Sequence, residues 1–483
     1  MHPLSYTQEK PSQLKTSFHE IADVRYQLFA ILWVVATLFH SVKNRELDDD
    51  LSLILLSLSG LYFFYNTKSI LRFVVFLLMQ FTAILIYMPY VSNHWIFSGF
   101  VCLTLLTSIF ILIIKSKSFQ ISRSELWNIF APIIRIELII LYFFVVFHKL
   151  NYDFFDPNIS CGTDLIKATM GIGFLHLPER ILHMNSYATI IIETLIPLLL
   201  IFKRTRNIGV LIGLLFHNVI AYNNHNGYYD FSSMIFALYF LFTPAIFGIK
   251  IRDSFIKFLQ FKKRLYQTSP EFKTSNVILF TCIAFLCLGL IIGLNRFIND
   301  YVLIFWTLFS VSYIYIYVKT LLMVYSINEQ KEKQFRIEYS LLLVFPVMVF
   351  INGLSPYLGF KTENSFSMFS NLRTEGGISN HYLIPTDLQV FDYQKNLVKI
   401  TSTSDPVLLE HAQKDQLITF YDLNNRVSIS NPKYVNFIYK GESHEYVIGQ
   451  NDHMGLKKRP SFLSRKILRF RPISNSGINN CIH

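Results

Sequence analysis

Apolar runs separated by short polar segments recur from Tyr26 to about Gly353. Many approach the ~17–25 residues that cross ~30 Å of hydrocarbon as a helix. By that length rule there are about eleven: Tyr26–Val42, Leu51–Tyr65, Leu71–Val91, Trp95–Ile114, Trp127–Phe147, Tyr187–Phe202, Ile208–Tyr222, Phe231–Ile249, Val277–Leu294, Tyr301–Tyr325 and Tyr339–Gly353. The pattern predicts an all-α polytopic membrane bundle of about eleven transmembrane helices over residues 26–353, preceded by a polar segment, 1–25. A semi-apolar stretch between the fifth and sixth runs, Ser160–Leu177, reads either as a re-entrant or interfacial segment or as an ordinary loop helix.

After Gly353 the period changes. Leu388–Tyr393, Leu397–Thr401, Leu417–Tyr421 and Val435–Tyr439 alternate apolar and polar residues, as half-buried strands do. A small β-rich extramembrane domain is therefore expected over 354–483. Its tail carries Lys457, Lys458, Arg459, Arg465, Lys466, Arg469 and Arg471, to be read as a solvated tail or as a segment lying on anionic lipid.

Composition strengthens the membrane reading: of 483 residues, 52% are hydrophobic and only 16% charged, a balance that suits lipid as solvent. The net charge of +12 does not point to nucleic acid, because the bases are scattered through short loops and form no single stripe. They set orientation instead. One alternate set of loops holds Lys10, Lys15 and Arg25; Lys68 and Arg72; Lys115, Lys117 and Arg123; Lys203, Arg204 and Arg206; Lys262 to Arg264; and Lys331, Lys333 and Arg336. With these inside, the N-terminus is cytoplasmic and the C-terminal domain lies outside, and the Ile, Lys, Asn and Phe bias suits a bacterial cytoplasmic membrane. The N-terminal order is not that of a cleaved signal peptide, so the first run reads as a retained helix. Cys102, Cys282 and Cys287 lie in apolar runs and Cys161 and Cys481 outside them, without metal-ligand spacing, so no metal site is assigned.

Ionisable groups inside spans are costly, by ~2.5–3.5 kcal/mol at a helix centre, and therefore face partners or a cavity. The candidates are Arg135 and Glu137, too close in sequence to share a helix face and so expected to pair with other helices, His148 and Lys149 at the end of the fifth run, Glu193 in the sixth and His217 in the seventh. Each has a structural reading as interhelical glue or, for Lys149, as an interfacial anchor. Lys149 also has a chemical one. Phe143, Phe144, Phe147, Phe154 and Phe155 offer an apolar wall, and a desolvated amine releases its proton more readily and can serve as a base. Arg373 and Glu375 lie in a Gly- and Ser-rich segment just beyond the last span and are expected beside Lys149, unless that segment is only a linker. No Walker loop, GxGxxG after a strand, HExxH or GxSxG occurs, which argues against nucleotide-driven pumping and common hydrolase chemistry.

The stretch Leu141-Tyr-Phe-Phe-Val-Val-Phe-His-Lys-Leu-Asn-Tyr-Asp-Phe-Phe155 resembles the "Y-F-x-A-G-x-x-K-L-x-x-D-W" signature of the vitamin K-dependent gamma-carboxylase-like, or HTTM, membrane family. Phe216-His-Asn and then Phe231-Ser-Ser-Met-Ile-Phe resemble that family's later "F-H" and "F-S-x-x-M-F" elements in the same order. The resemblance covers roughly Arg25 to Ile249. It implies that Lys149 is the base that deprotonates a reduced quinone, whose oxygenation yields an alkoxide able to abstract a glutamate γ-hydrogen before carbon dioxide traps the carbanion. It also places His217 on the histidine of the later element. Val145 and Val146 stand where the family has small residues, His148 stands where the carboxylase has a second lysine, and no large propeptide-binding domain is recognisable.

Two functions are thus expected. One is an enzyme acting at the outer face on a quinol or another amphipathic substrate, with Lys149, His148 and His217 as catalytic residues, Arg135, Glu137, Glu193, Arg373 and Glu375 in support, and quinol, carbon dioxide and membrane lipid as partners. The other is a non-enzymatic membrane protein that binds or moves a lipid or small molecule, or supports an envelope complex.

Overall fold

Residues 18–43, 50–170, 178–223, 227–265, 301–324, 334–477 and 481 are described in a computed structural model of the chain. The helices are α1 (Phe18–Lys43), α2 (Leu51–Tyr65), α3 (Ile70–Tyr87), α4 (Asn93–Ser116), α5 (Arg123–Phe147), α6 (Tyr152–Phe155), α7 (Cys161–Met170), α8 (Glu179–Ile201), α9 (Arg206–Ile220), α10 (Tyr229–Phe240), α11 (Ala245–Leu265), α12 (Tyr301–Val324) and α13 (Val344–Leu354). Polar residues between the apolar runs mark their starts: Asp50 caps α2 through Ser52 and Leu53 N–H, and Ser122 accepts from Glu125 N–H at the head of α5.

Six of these, α1, α3, α4, α5, α8 and α12, are long and apolar enough to cross a membrane, and the chain is an integral membrane protein on that ground. The expectation of about eleven spans is met in part, by these six among the described residues. Runs two, seven and eleven form the short helices α2, α9 and Ser340–Leu354, and run eight is a bent pair, α10 and α11, meeting at 117°. If that pair is one broken span, there are seven among the described residues. Run nine, Val277–Leu294, and most of the N-terminal segment lie outside the described residues. Ser160–Leu177 yields in its described part only the ten-residue α7, packed on α8.

α1 packs on α10, α5 and α11, while α5 lies against α1, α4, α8 and α13. The bend between α10 and α11 frees backbone carbonyls that hydrocarbon cannot hydrate. Arg135 Nε and Nη2 donate to Leu241 O at 2.9 and 2.7 Å, and Arg25 Nη2 donates to Thr243 O at 3.2 Å. Arg25, expected in an inner loop, is therefore a buried member of α1, its guanidinium 4.5 Å from the Trp127 ring centre. Arg206 is likewise buried, its Nε donating to Leu200 O (2.9 Å) at the negative end of α8.

The C-terminal region forms an antiparallel five-stranded sheet. Its elements are β1 (Leu397–Thr403), α14 (Pro406–Gln413), β2 (Gln416–Thr419), α15 (Phe420–Ser430), β3 (Tyr434–Tyr439), β4 (Glu442–Val447), α16 (Phe462–Ile467) and β5 (Ile473–Ser474), in strand order β4-β3-β1-β2-β5. β1, β2 and β3 lie where the alternation predicted strands, and Val398, Ile400, Ile418, Val435 and Phe437 point into a core closed by Leu408, Leu423 and Val427. Leu388–Tyr393 forms no strand. The basic tail is tied to the rest of the chain: Lys466 Nζ donates to Ile86 O (2.7 Å), Arg471 Nη1 to Leu372 O (2.9 Å), and Cys481 forms a disulfide with Cys161.

Candidate functional site: an apolar cavity with a lysine–glutamate pair

Where α5 ends, Lys149 leaves the helix and turns toward α8. Its Nζ donates to Glu193 Oε2 at 2.5 Å, and both side chains are almost wholly buried, 5% and 10% exposed. Phe154 closes one side, its ring centre 5.9 Å from Nζ. Lys149 and Glu193 line a cavity of about 270 Å³ whose walls are otherwise mainly Leu141, Val145, Leu165, Ile166, Phe216, Ile220, Phe231 and Ile235. A site of that kind, concave and apolar with few polar groups, is the usual form of a small-molecule pocket.

The other polar wall comes from α5 and α9. Tyr142 Oη lies 2.8 Å from His217 Nε2 and is hydrogen-bonded to the Tyr239 hydroxyl. His217 Nδ1 is buried without a partner among the described residues. Gly213 makes this cluster possible, since a Cβ there would overlap the Tyr239 ring. Tyr142 and Tyr239 were not singled out in the sequence, because a tyrosine in an aromatic-rich span carries no signal of its own.

A roof formed by residues 364–371 closes the cavity from the loop after α13, with Phe366, Met368 and Phe369 in its wall. Phe366 and Phe369 have φ of 66° and 55°, and Asn364 and Asn371 have φ of 59° and 54°. Bulky residues rarely adopt the left-handed region, and such strain persists only where surrounding contacts impose it. Here they do: Phe366 N–H donates to Asn93 Oδ1 (2.7 Å), Asn352 Nδ2 to Asn364 O (2.9 Å), and Asn371 Oδ1 accepts from Cys161 N–H (2.7 Å).

The remaining sequence candidates lie outside the cavity lining. His148 is a strut beneath the roof: Nε2 faces Ser365 O at 3.1 Å and must donate, leaving Nδ1 to accept from Tyr357 Oη at 2.9 Å. Arg135 serves the α10–α11 break, and Glu137 accepts from Thr104 Oγ1 at 2.5 Å, so each pairs with another element. Arg373 N–H is bound by Asn380 Oδ1 (2.8 Å), while Glu375 Oε2 accepts from Thr374 N–H (2.8 Å). Burial raises the Glu375 carboxyl against the opposing pull of Arg471. Their segment does reach the end of α5, where His381 pairs with Asn151, and His381 Nε2 donates to Phe147 O at 2.9 Å.

One further cluster was missed in the sequence. His40 of α1, His94 of α4 and Asp230 of α10 are buried together, with ring nitrogens and a carboxylate oxygen grouped closely enough to hold a metal ion. No spacing rule reveals three residues drawn from three helices. No protein-family model, no curated protein and no solved structure matches the chain.

Proposed function

We propose that the chain is an enzyme of the HTTM, vitamin K-dependent gamma-carboxylase-like type, in which Lys149 takes a proton from a hydroxyl of an amphipathic substrate held in the apolar cavity. The observation that carries this reading is the Lys149–Glu193 pair, two buried ionisable groups in contact at the wall of a cavity of about 270 Å³. That volume is close to the lower end of the ~300–1,000 Å³ of small-molecule sites.

Transfer of the shared proton from Lys149 Nζ to Glu193 Oε2 leaves a neutral amine. The amine then accepts the substrate's proton, and the ammonium formed stays beside the resulting anion while Glu193 keeps the first proton. Tyr142, bonded to His217 and Tyr239, is placed to orient a second oxygen. The resemblance nominates a reduced vitamin K-type quinone, which would supply the oxygen chemistry once deprotonated, with carbon dioxide as co-substrate. The proposal includes a topology with the N-terminus inside and the cavity roof and C-terminal domain outside a bacterial cytoplasmic membrane. The Cys161–Cys481 disulfide favours an oxidising side for both.

The test uses proteoliposomes of the full chain or of Lys149→Ala, supplied with reduced naphthoquinol, oxygen and labelled bicarbonate. Quinone-epoxide formation in the wild type that disappears in the variant supports the reading. A folded wild type that neither oxidises quinol nor fixes label would move the assignment to a non-enzymatic lipid or small-molecule binder.

A further inference from the structure

We propose that His40 Nδ1, His94 Nε2 and Asp230 Oδ2 form a binding site for one divalent first-row transition ion, set against the wall of the large cavity. The three atoms stand 3.1, 3.1 and 3.2 Å apart, with His40 to His94, His40 to Asp230 and His94 to Asp230 in that order. They come from three helices, and all three residues are buried.

Hydrogen bonds close at most two sides of that triangle at once, as when one His40 N–H is shared between His94 Nε2 and Asp230 Oδ2. Sides so nearly equal give about 60° at each corner, far tighter than two donors adopt when sharing one carboxylate oxygen. If instead one ring turns a lone pair inward, that nitrogen faces the carboxylate lone pairs across about 3 Å with no proton between them. A cation satisfies all three contacts together. A point ~2.0–2.2 Å from each atom, the bond length of zinc to imidazole and carboxylate, lies ~1 Å off the plane of the triangle. Ligand atoms in a tetrahedral site with such bonds are ~3.3 Å apart, so only slight expansion is needed.

The surroundings suit an ion. A void of about 10 Å³ adjoins the three ligands, bounded also by Trp33 and Gln80, roughly the space one water or ion requires. Lys43 Nζ holds the other carboxylate oxygen, Asp230 Oδ1, at 2.9 Å and leaves Oδ2 to the ring nitrogens, as outer-shell partners do in metal sites. The His40 ring is fixed by stacking on Trp95 at 4.1 Å between centres. Two histidines and one carboxylate exclude a calcium or magnesium preference and select zinc, iron(II) or their neighbours. His94 lines both the small void and the large cavity, so the ion site adjoins the wall of the space a substrate would occupy.

The experiment is metal analysis of the purified full chain, stripped with chelator and titrated separately with Zn²⁺, Co²⁺ and anaerobic Fe²⁺, alongside His94→Gln and Asp230→Asn. About one ion per chain, a ligand-field spectrum with Co²⁺, and at least tenfold weaker binding in both variants are expected, in line with loss of one ligand. Thermal melting of the wild type with and without ion gives a readout independent of the variants, and saturating ion should raise its midpoint. No ion above background in a folded wild type, or equal binding by wild type and variants, would overturn the proposal.

Discussion

Nζ of Lys149, just past the end of α5, lies 2.5 Å from Oε2 of Glu193 in the middle of α8. Two buried charges are retained at a cost in desolvation that an apolar pair would avoid. Replacing Glu193 with Gln removes the group that, in the proposed reaction, receives the lysine proton, while keeping the side chain's shape. Turnover is expected to fall ~10²–10⁴-fold, the range for a lost acid–base partner. Epoxidation assays on protein whose melting matches wild type check this.

The cavity's second polar wall depends on a missing side chain. A Cβ on Gly213 would overlap the Tyr239 ring and push it away from Tyr142. Gly213→Ala should therefore destabilise the chain by ~1–3 kcal/mol, as overpacking does. It should also weaken substrate binding more than a lipid-facing control such as Leu215→Ala. Denaturation in detergent and ligand titration measure the two effects.

The disulfide between Cys161 and Cys481 closes a separation of 320 residues and ties the tail to the start of α7 beside the roof. Changing both cysteines to Ser should cost ~2–4 kcal/mol and increase amide exchange over residues 364–371. Exchange unchanged there would show that the roof is held without the tail.

Asp405 caps α14 through Val407 and Leu408 N–H and binds Arg426 Nε at 2.9 Å. Burial raises its carboxyl, but the Leu408 N–H, the Ser430 hydroxyl and Arg426 outweigh burial and hold it below the ordinary aspartate value. A lowered folded value means stability that is complete above the unfolded value near 4 and is lost as pH falls through the folded one. Amide exchange in α14 should accelerate as pH drops below ~4 beyond the intrinsic trend. Asp405→Asn should exchange faster at neutral pH and lose that acid dependence.

What the sequence revealed follows from how local each signal is. The apolar runs located the helices, but α2 and α9 are only 15 residues long and the α10–α11 pair is bent, so fewer spans than runs stand among the described residues. Alternation found β1, β2 and β3 but failed at Leu388–Tyr393, which packs on Leu358 and Gly359 without pairing as a strand. Lys149, Glu193 and His217 were legible because a charge in an apolar run is conspicuous, and the structure gathers them in one cavity. Arg135 was equally conspicuous yet serves a helix break. The Cys161–Cys481 pairing and the His40–His94–Asp230 cluster depend on long-range packing, which no window of sequence contains.

Lys149→Arg separates a base from a structural cation, because arginine retains the positive charge and the contact with Glu193 but does not give up its proton. Naphthoquinol binding and epoxide formation are to be measured together in proteoliposomes. Binding within a few-fold of wild type with turnover reduced at least ~10²-fold is the predicted result. Turnover preserved in the arginine variant would exclude Lys149 as the base and leave it a structural partner of Glu193.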